Sequence, residues 1–156
     1  MSVPGYPPRQ GLYDPAYEKD SCGVGFVVNI KGKKSHQIIR QALTILLNLR
    51  HRGACGCEAN TGDGAGILIQ IPHAFLVTAC AKAGITLPSE KEYGVGMVTL
   101  PPDAAERKRC EKIFEDIVRE EGQQFLGWRT LATDDASIGP TAKSSEPVVC
   151  QVFISR

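Results

Sequence analysis

Cys22 stands where this sequence can do chemistry. It opens CGVGFVVNI, the first stretch with strand character, behind residues 1–21, which hold four prolines and no apolar periodicity. If the chain is cut between Ser21 and Cys22, the cysteine gains a free α-amine. The ordinary pKa of such an amine, about 7.7–8.0, leaves it available as a base near neutral pH. Nucleophile and general base then reside in one residue, and no histidine is required. Only His36, His51 and His73 occur, each in or beside a helix-like segment. Gly23 and Gly25 carry no side chain, so substrate and neighbouring backbone can approach the position closely. While residues 1–21 are attached, the Cys22 nitrogen is an amide and accepts no proton. They therefore read as a removable leader, cut by attack of the Cys22 thiol on the preceding carbonyl. For this residue alone a buried strand cysteine is the commoner case, and the rest of the chain must decide.

The elements that would position Cys22 follow from periodicity. GVGFVVNI suits a buried strand, and KGKK a turn with a solvated charge run. Ser35 can cap a helix over HQIIRQALTILLNLRH. Its apolar residues cover more than one face, which predicts a largely buried helix held between layers. RGACGCEANTGDGAG is a long Gly-rich loop, ILIQIP a strand closed by Pro72, and HAFLVTACAKAG a short helix ended by Gly84. The alternation then repeats. YGVGMVTLP is a strand, and Pro101-Pro102-Asp103 opens an amphipathic helix with its stripe at Ala105, Cys110, Ile113, Phe114, Ile117 and Val118. QFLGWRTLAT is strand-like, DDASIGPTAKSSEP a polar loop, and VVCQVFIS a final strand. The sequence stops directly after that apolar strand, so it reads as incomplete at its C-terminus.

Bulk composition removes several classes. The 156 residues are 42% hydrophobic and 22% charged, with a formal net charge of +1. That suits one globular domain and gives no electrostatic footprint for nucleic acid or an anionic membrane. No apolar run approaches the roughly 20 residues a membrane span needs, and the N-terminus lacks the apolar core of a secretory signal. The six cysteines, at 22, 55, 57, 80, 110 and 150, are read as reduced thiols in a cytosolic protein.

Three segments in order, CGVGF at 22–26, HRGACGCEANTGDGAGI at 51–67 and ILIQIPHAF at 67–75, resemble the start of the large subunit of glutamate synthases. More broadly they are similar to the class II glutamine amidotransferases, a group of N-terminal-nucleophile hydrolases. The resemblance runs from Cys22 to the end of the sequence, through FLGWR at 125–129 and SEPVVCQVFI at 145–154. It implies an α+β fold, the four-layer αββα sandwich, incomplete here at its C-terminus. It divides the chain into a leader over 1–21 and the N-terminal portion of an amidotransferase domain over 22–156. It implies that Cys22 attacks the carboxamide of glutamine, releasing ammonia that aminates 2-oxoglutarate at a distant flavin site. Arg52-Gly53 matches an Arg-Gly pair that such domains carry near the nucleophile; pocket support and a structural salt bridge are both open for Arg52. Asp63 is read as fixing its loop through backbone amides. The implied partners are glutamine, the flavin-bearing remainder of a synthase and a small NAD(P)H-oxidising subunit. FMN and an iron–sulfur cluster are implied for the full-length enzyme, with no cofactor in this segment.

Oxyanion-hole donors and glutamine-binding residues are expected beyond residue 156, so the 156 residues alone are expected to turn glutamine over poorly. Two further readings are an amidotransferase feeding another ammonia-using synthase and a non-catalytic remnant. A nucleotide loop is disfavoured because the glycines of TGDGAGI precede a strand rather than open a helix. A zinc site at Cys55 and Cys57 is disfavoured by its spacing. The active protein should begin at Cys22 by intact mass; full activity with all 21 leader residues attached would rule the mechanism out.

Overall fold

The structure, a computed structural model, describes residues 8–11, 14, 23–50, 58, 60–62 and 64–156. The chain divides into two compact units, Met1–Ala54 and Cys55–Arg156.

The first unit is built on helix α1, His36–Asn48. Ser35 caps it as expected: its backbone is extended, and its hydroxyl accepts the Gln37 N–H at 3.1 Å. The turn before it is organised by Asn29, whose side-chain oxygen accepts from the N–H groups of Lys31 and Lys33 at 2.9 and 3.3 Å. Gly32 adopts φ +67 and donates to the Asn29 carbonyl at 2.8 Å, a backbone shape that glycine takes without strain. Two expectations fail here. Residues 23–30 belong to no sheet, because an apolar β-prone run becomes a strand only when a partner satisfies its backbone groups. Nor is α1 largely buried. Ile38, Ile39, Ala42, Ile45, Leu46 and Leu49 are half-buried, Leu43 and Leu47 are exposed, and no residue of the helix is fully buried.

The second unit contains helix α2 (His73–Ala81), strand β1 (Tyr93–Leu100), helix α3 (Ala104–Glu120), strand β2 (Gln124–Thr130), helix α4 (Pro140–Ser144) and strand β3 (Val148–Ser155). The three strands form an antiparallel sheet in the order β1-β3-β2. Adjacent residues of β3 point to opposite faces. Phe153 faces α2, where it joins Leu76, Cys80, Ile85 and Tyr93 in one buried cluster. Val152 lies on the other face, opposite Trp128 in β2. Trp128 meets Phe114 of α3 edge-on, ring centres 5.3 Å apart, and donates its indole N–H to Glu115 at 3.2 Å. The layers are therefore α2, sheet, α3. Asp103 caps α3, its carboxylate accepting the Glu106 N–H at 2.8 Å.

A bulge in β2 reconciles its two faces. Phe125 pairs with Ile154 and Gly127 with Phe153, leaving Leu126 as the extra residue. Phe125 and Trp128 can then share the α3 face, ring centres 6.0 Å apart, despite an odd separation that would place them on opposite faces of a regular strand. Leu126 packs against the α2 cluster. Gly127, at φ +154, leaves room for Ile85: a β-carbon there would lie 2.8 Å from Ile85 Cγ1.

Two more readings need correction. ILIQIP joins no strand, although Ile71 packs on the core; Leu68 is wholly exposed. The polar loop over 134–147 contains α4, started by Gly139-Pro140. Among the described residues no helix is long and apolar enough to cross a membrane, and Cys80, Cys110 and Cys150 are free thiols.

Gly127→Ala should lower stability by about 1–3 kcal/mol, because the new methyl must displace Ile85. A denaturant titration checks this: the midpoint should fall at unchanged slope. An unchanged midpoint would mean that Ile85 yields freely.

Candidate functional site

Cys22, Arg52 and Gly53 lie outside the described residues, as do His51, Cys55, Cys57 and Asp63. The structure describes what flanks them: residues 23–30 after the candidate nucleophile, and residues 58, 60–62 and 64–66 of the Gly-rich loop.

Directly after position 22 the chain lies against α1. A β-carbon on Gly23 would stand 2.8 Å from Leu49 Cδ2, and one on Gly25 would stand 2.5 Å from Ile45 Cγ2. A side chain at either position would have to push Leu49 or Ile45 aside, branched residues one helical turn apart. The two glycines are thus explained by contact with α1; the sequence pointed to close approach without identifying the neighbour. The intervening residues face away. Val24, Phe26, Val28 and Ile30 are 88%, 88%, 70% and 98% exposed. Of residues 23–30 only Gly23 and Val27 are half-buried; the rest are exposed.

The Gly-rich loop is anchored within the second unit by Glu58. Its carboxylate accepts the backbone N–H of Thr141 at 2.9 Å, that of Ala142 at 3.5 Å and the Thr61 hydroxyl at 3.1 Å. The Thr61 hydroxyl in turn accepts the Gly139 N–H at 3.0 Å, and the Asn60 amide donates to the Ser137 carbonyl at 2.9 Å. The Thr141 and Ala142 N–H groups are the first backbone donors of α4, a helix whose N-cap is glycine and whose first residue is proline. Without a local side chain to satisfy them, they are met by a carboxylate about 80 positions earlier. The Thr141 backbone N–H, aided by the Thr141 and Thr61 hydroxyls and the Ala142 N–H, holds the Glu58 carboxyl below the usual carboxylate range, against an opposing push from desolvation. An ion pair between Lys143 and Asp135 at 2.6 Å braces the same turn. Sequence reasoning missed Glu58. The available signal was Gly139-Pro140, a helix start lacking any Ser, Thr, Asp or Asn to cap it.

Two of the three described thiols, Cys80 and Cys150, are poor nucleophiles by position. Cys80 is fully buried in the α2 cluster; burial pushes its thiol up, opposed by the Arg129 charge. Cys150 is buried in β3. His73 Nδ1 lies 3.0 Å from the hydroxyl of Tyr93, a half-buried contact beside the α2 cluster. A groove of about 540 Å³ between α2 and β2 is lined by Phe75, Lys82 and Arg129, but holds no described thiol.

Comparison with known proteins gives a consistent result. The profile of the family described as "Glutamine amidotransferases class-II" matches residues 22–156. The chain is 47% identical to the glutamate synthase [NADPH] large chain of Bacillus subtilis over 154 residues, 99% of this chain and 10% of that protein. It is 42% identical to the glutamate synthase [NADH] of Schizosaccharomyces pombe over 145 residues, 93% of this chain and 7% of that one. It is 36% identical to ferredoxin-dependent glutamate synthase 2 of Synechocystis over 138 residues, 88% of this chain and 9% of that one. The chain thus spans a tenth or less of the length of these curated relatives.

The Glu58 anchor has a pH dependence of fixed sign. A carboxyl held below its ordinary value stabilises the docked form fully above the unfolded value, and that stability is lost as pH falls through the lowered folded one. Amide exchange at 141–142, corrected for intrinsic rates, should lose protection in that acid window. The Asp135 carboxyl, held low by hydrogen bonding to Lys143, titrates in the same direction. Glu58→Gln separates the two by removing only the Glu58 component; protection that persists at low pH would show that another group anchors α4.

Proposed function

Because the chain belongs to the class-II glutamine amidotransferases, we propose that it carries the glutamine-hydrolysing nucleophile of a glutamate synthase, and that Cys22 is that nucleophile. The observation behind this reading is where the family match falls: it begins at residue 22 and continues to residue 156. The residues before it hold the features of a leader.

On this reading, removal of residues 1–21 frees the Cys22 α-amine. The amine takes the thiol proton, directly or through one water, as the sulfur attacks the carboxamide carbon of glutamine. Collapse of the tetrahedral adduct breaks the C–N bond, the proton passes to the leaving nitrogen, and ammonia departs. A water then hydrolyses the γ-glutamyl thioester, releasing glutamate and restoring the thiol. Close seating of Gly23 and Gly25 on α1 supports this assignment, since it ties the residues after the nucleophile to a helix. Arg52 and Gly53 support the substrate pocket. The oxyanion donors and glutamine-binding groups come from outside these residues, and the complete domain is the four-layer αββα sandwich.

In the whole enzyme the ammonia aminates 2-oxoglutarate in a flavin-bearing region, in the cytoplasm, with electrons from a small NAD(P)H-oxidising subunit. FMN and the iron–sulfur cluster belong to that remainder. The described thiols do not fit a cluster: Cys80 and Cys150 are buried within the sheet layers, and among the described residues no three His, Cys, Asp or Glu side chains are placed to hold a metal.

In the protein as its gene encodes it, Cys22→Ala should reduce glutamine hydrolysis roughly a thousandfold or more. It should also abolish covalent labelling by 6-diazo-5-oxo-L-norleucine, a glutamine analogue. Labelling that persists at another residue in the variant would overturn the assignment.

A further inference from the structure

We infer that the groove between α2 and β2 is a binding site for a small organic carboxylate with an apolar body. The groove lies wholly within the second unit and has a volume of about 540 Å³. Phe75, Ala79, Lys82 and Ala83 border it on one side and Arg129 on the other. This site goes beyond the glutaminase reading and does not depend on it.

Arg129 is a half-buried cation that no acid neutralises. It pairs with Gln151 in the sheet, and Gln151 lies two residues before Phe153, on the face that α2 covers. The guanidinium donates from Nη1 to the Gln151 side-chain oxygen at 2.6 Å. That bond holds the fork across the two strands, but glutamine is neutral and cancels no charge. An arginine has five N–H donors, and among the described residues the others have no partner. Nor does any described carboxylate pair with Arg129 or Lys82. A cation taken partly out of water without a counter-charge is costly, and an anion in the groove offsets that cost.

The second cation stands at the same end. Burial raises the Cys80 thiol and the Arg129 charge lowers it, which sets the guanidinium beside the last turn of α2. Lys82 is the C-cap of that helix. The remaining wall is apolar. Phe75 and Ala79 lie one turn apart on α2 and Ala83 just past its end, so they form one stripe. Phe75 is 60% exposed, a large ring left outside the core. The two alanines leave room for a ring or short chain to lie alongside it. A carboxylate matches the planar guanidinium fork, and its apolar body covers the stripe. Inorganic phosphate would satisfy the cations but leave Phe75 facing water.

The test measures binding of benzoate to the protein as its gene encodes it, by ligand-observed NMR. Benzamide lacks the charge and acetate lacks the ring. Benzoate should bind saturably, and each of these comparisons about tenfold more weakly or worse. Arg129→Gln should weaken benzoate binding about tenfold, and Lys82→Gln, at an exposed position, about threefold. Exchange protection of the β3 amides identifies a variant that has unfolded; should Arg129→Gln be one, Lys82→Gln carries the test. Benzoate affinity equal to wild type in the folded variant overturns the inference. So does benzamide binding as tightly as benzoate, or phosphate doing so with the same dependence on Arg129. Absence of saturable benzoate binding in the wild type overturns it as well, and is the result expected if a carboxylate side chain of the protein already occupies the guanidinium.

Discussion

The second unit depends on one strand being buried on both faces. Phe153 and Val152 are neighbours in β3, almost fully inaccessible to water, and they point in opposite directions. The first closes the cluster under α2, while the second lies on the α3 face opposite Trp128. Burying a large apolar side chain is worth about 1.5–3 kcal/mol, so a single central strand supplies an apolar floor to two layers. The edges adapt to it. In β1, Gly96 sits where a β-carbon would come within 2.9 Å of Val152 Cγ1; in β2, the bulge at Leu126 turns both aromatic rings towards α3. The backbone specialities of the edge strands are consequences of what the middle strand must bury.

That logic explains which parts of the fold were legible in the sequence. Helices α1, α2 and α3 and strands β1, β2 and β3 were readable because each carries its own pattern and, for two helices, its own cap at Ser35 or Asp103. Residues 23–30 and 67–72 carry strand composition too, yet they join no sheet. Composition records fitness for a pleated surface and says nothing of the partner that must supply hydrogen bonds. The burial of α1 was over-read for a related reason: apolar residues on several faces state what a helix can bury, and its neighbours determine what it does bury. Helix α4 escaped notice because it is five residues long and its cap comes from a distant segment.

The candidate site rests on a different kind of reading. Cys22 and Arg52-Gly53 came from motif and chemistry, and their placement is not among the described residues. What periodicity could not supply was the pair of restraints on either side of them. One is the contact of two glycines with Ile45 and Leu49; the other is the Glu58 carboxylate at the start of α4. Both join residues whose relation is invisible in any short window of sequence. The described thiols Cys80, Cys110 and Cys150 are free, as the reading of reduced cysteines expected. Cys80 on α2 and Cys150 in β3 fill space in the core.

The seating of Gly23 and Gly25 turns α1 into a ruler. Ile45 and Leu49 mark off one helical turn, and the two glycines mark off two residues of chain beside it. Sliding the segment by a single position would bring Val24 or Phe26 against Leu49 and Ile45, which would have to move to admit them. An insertion or deletion in this stretch therefore disturbs its contact with the helix, even though most of its side chains face water.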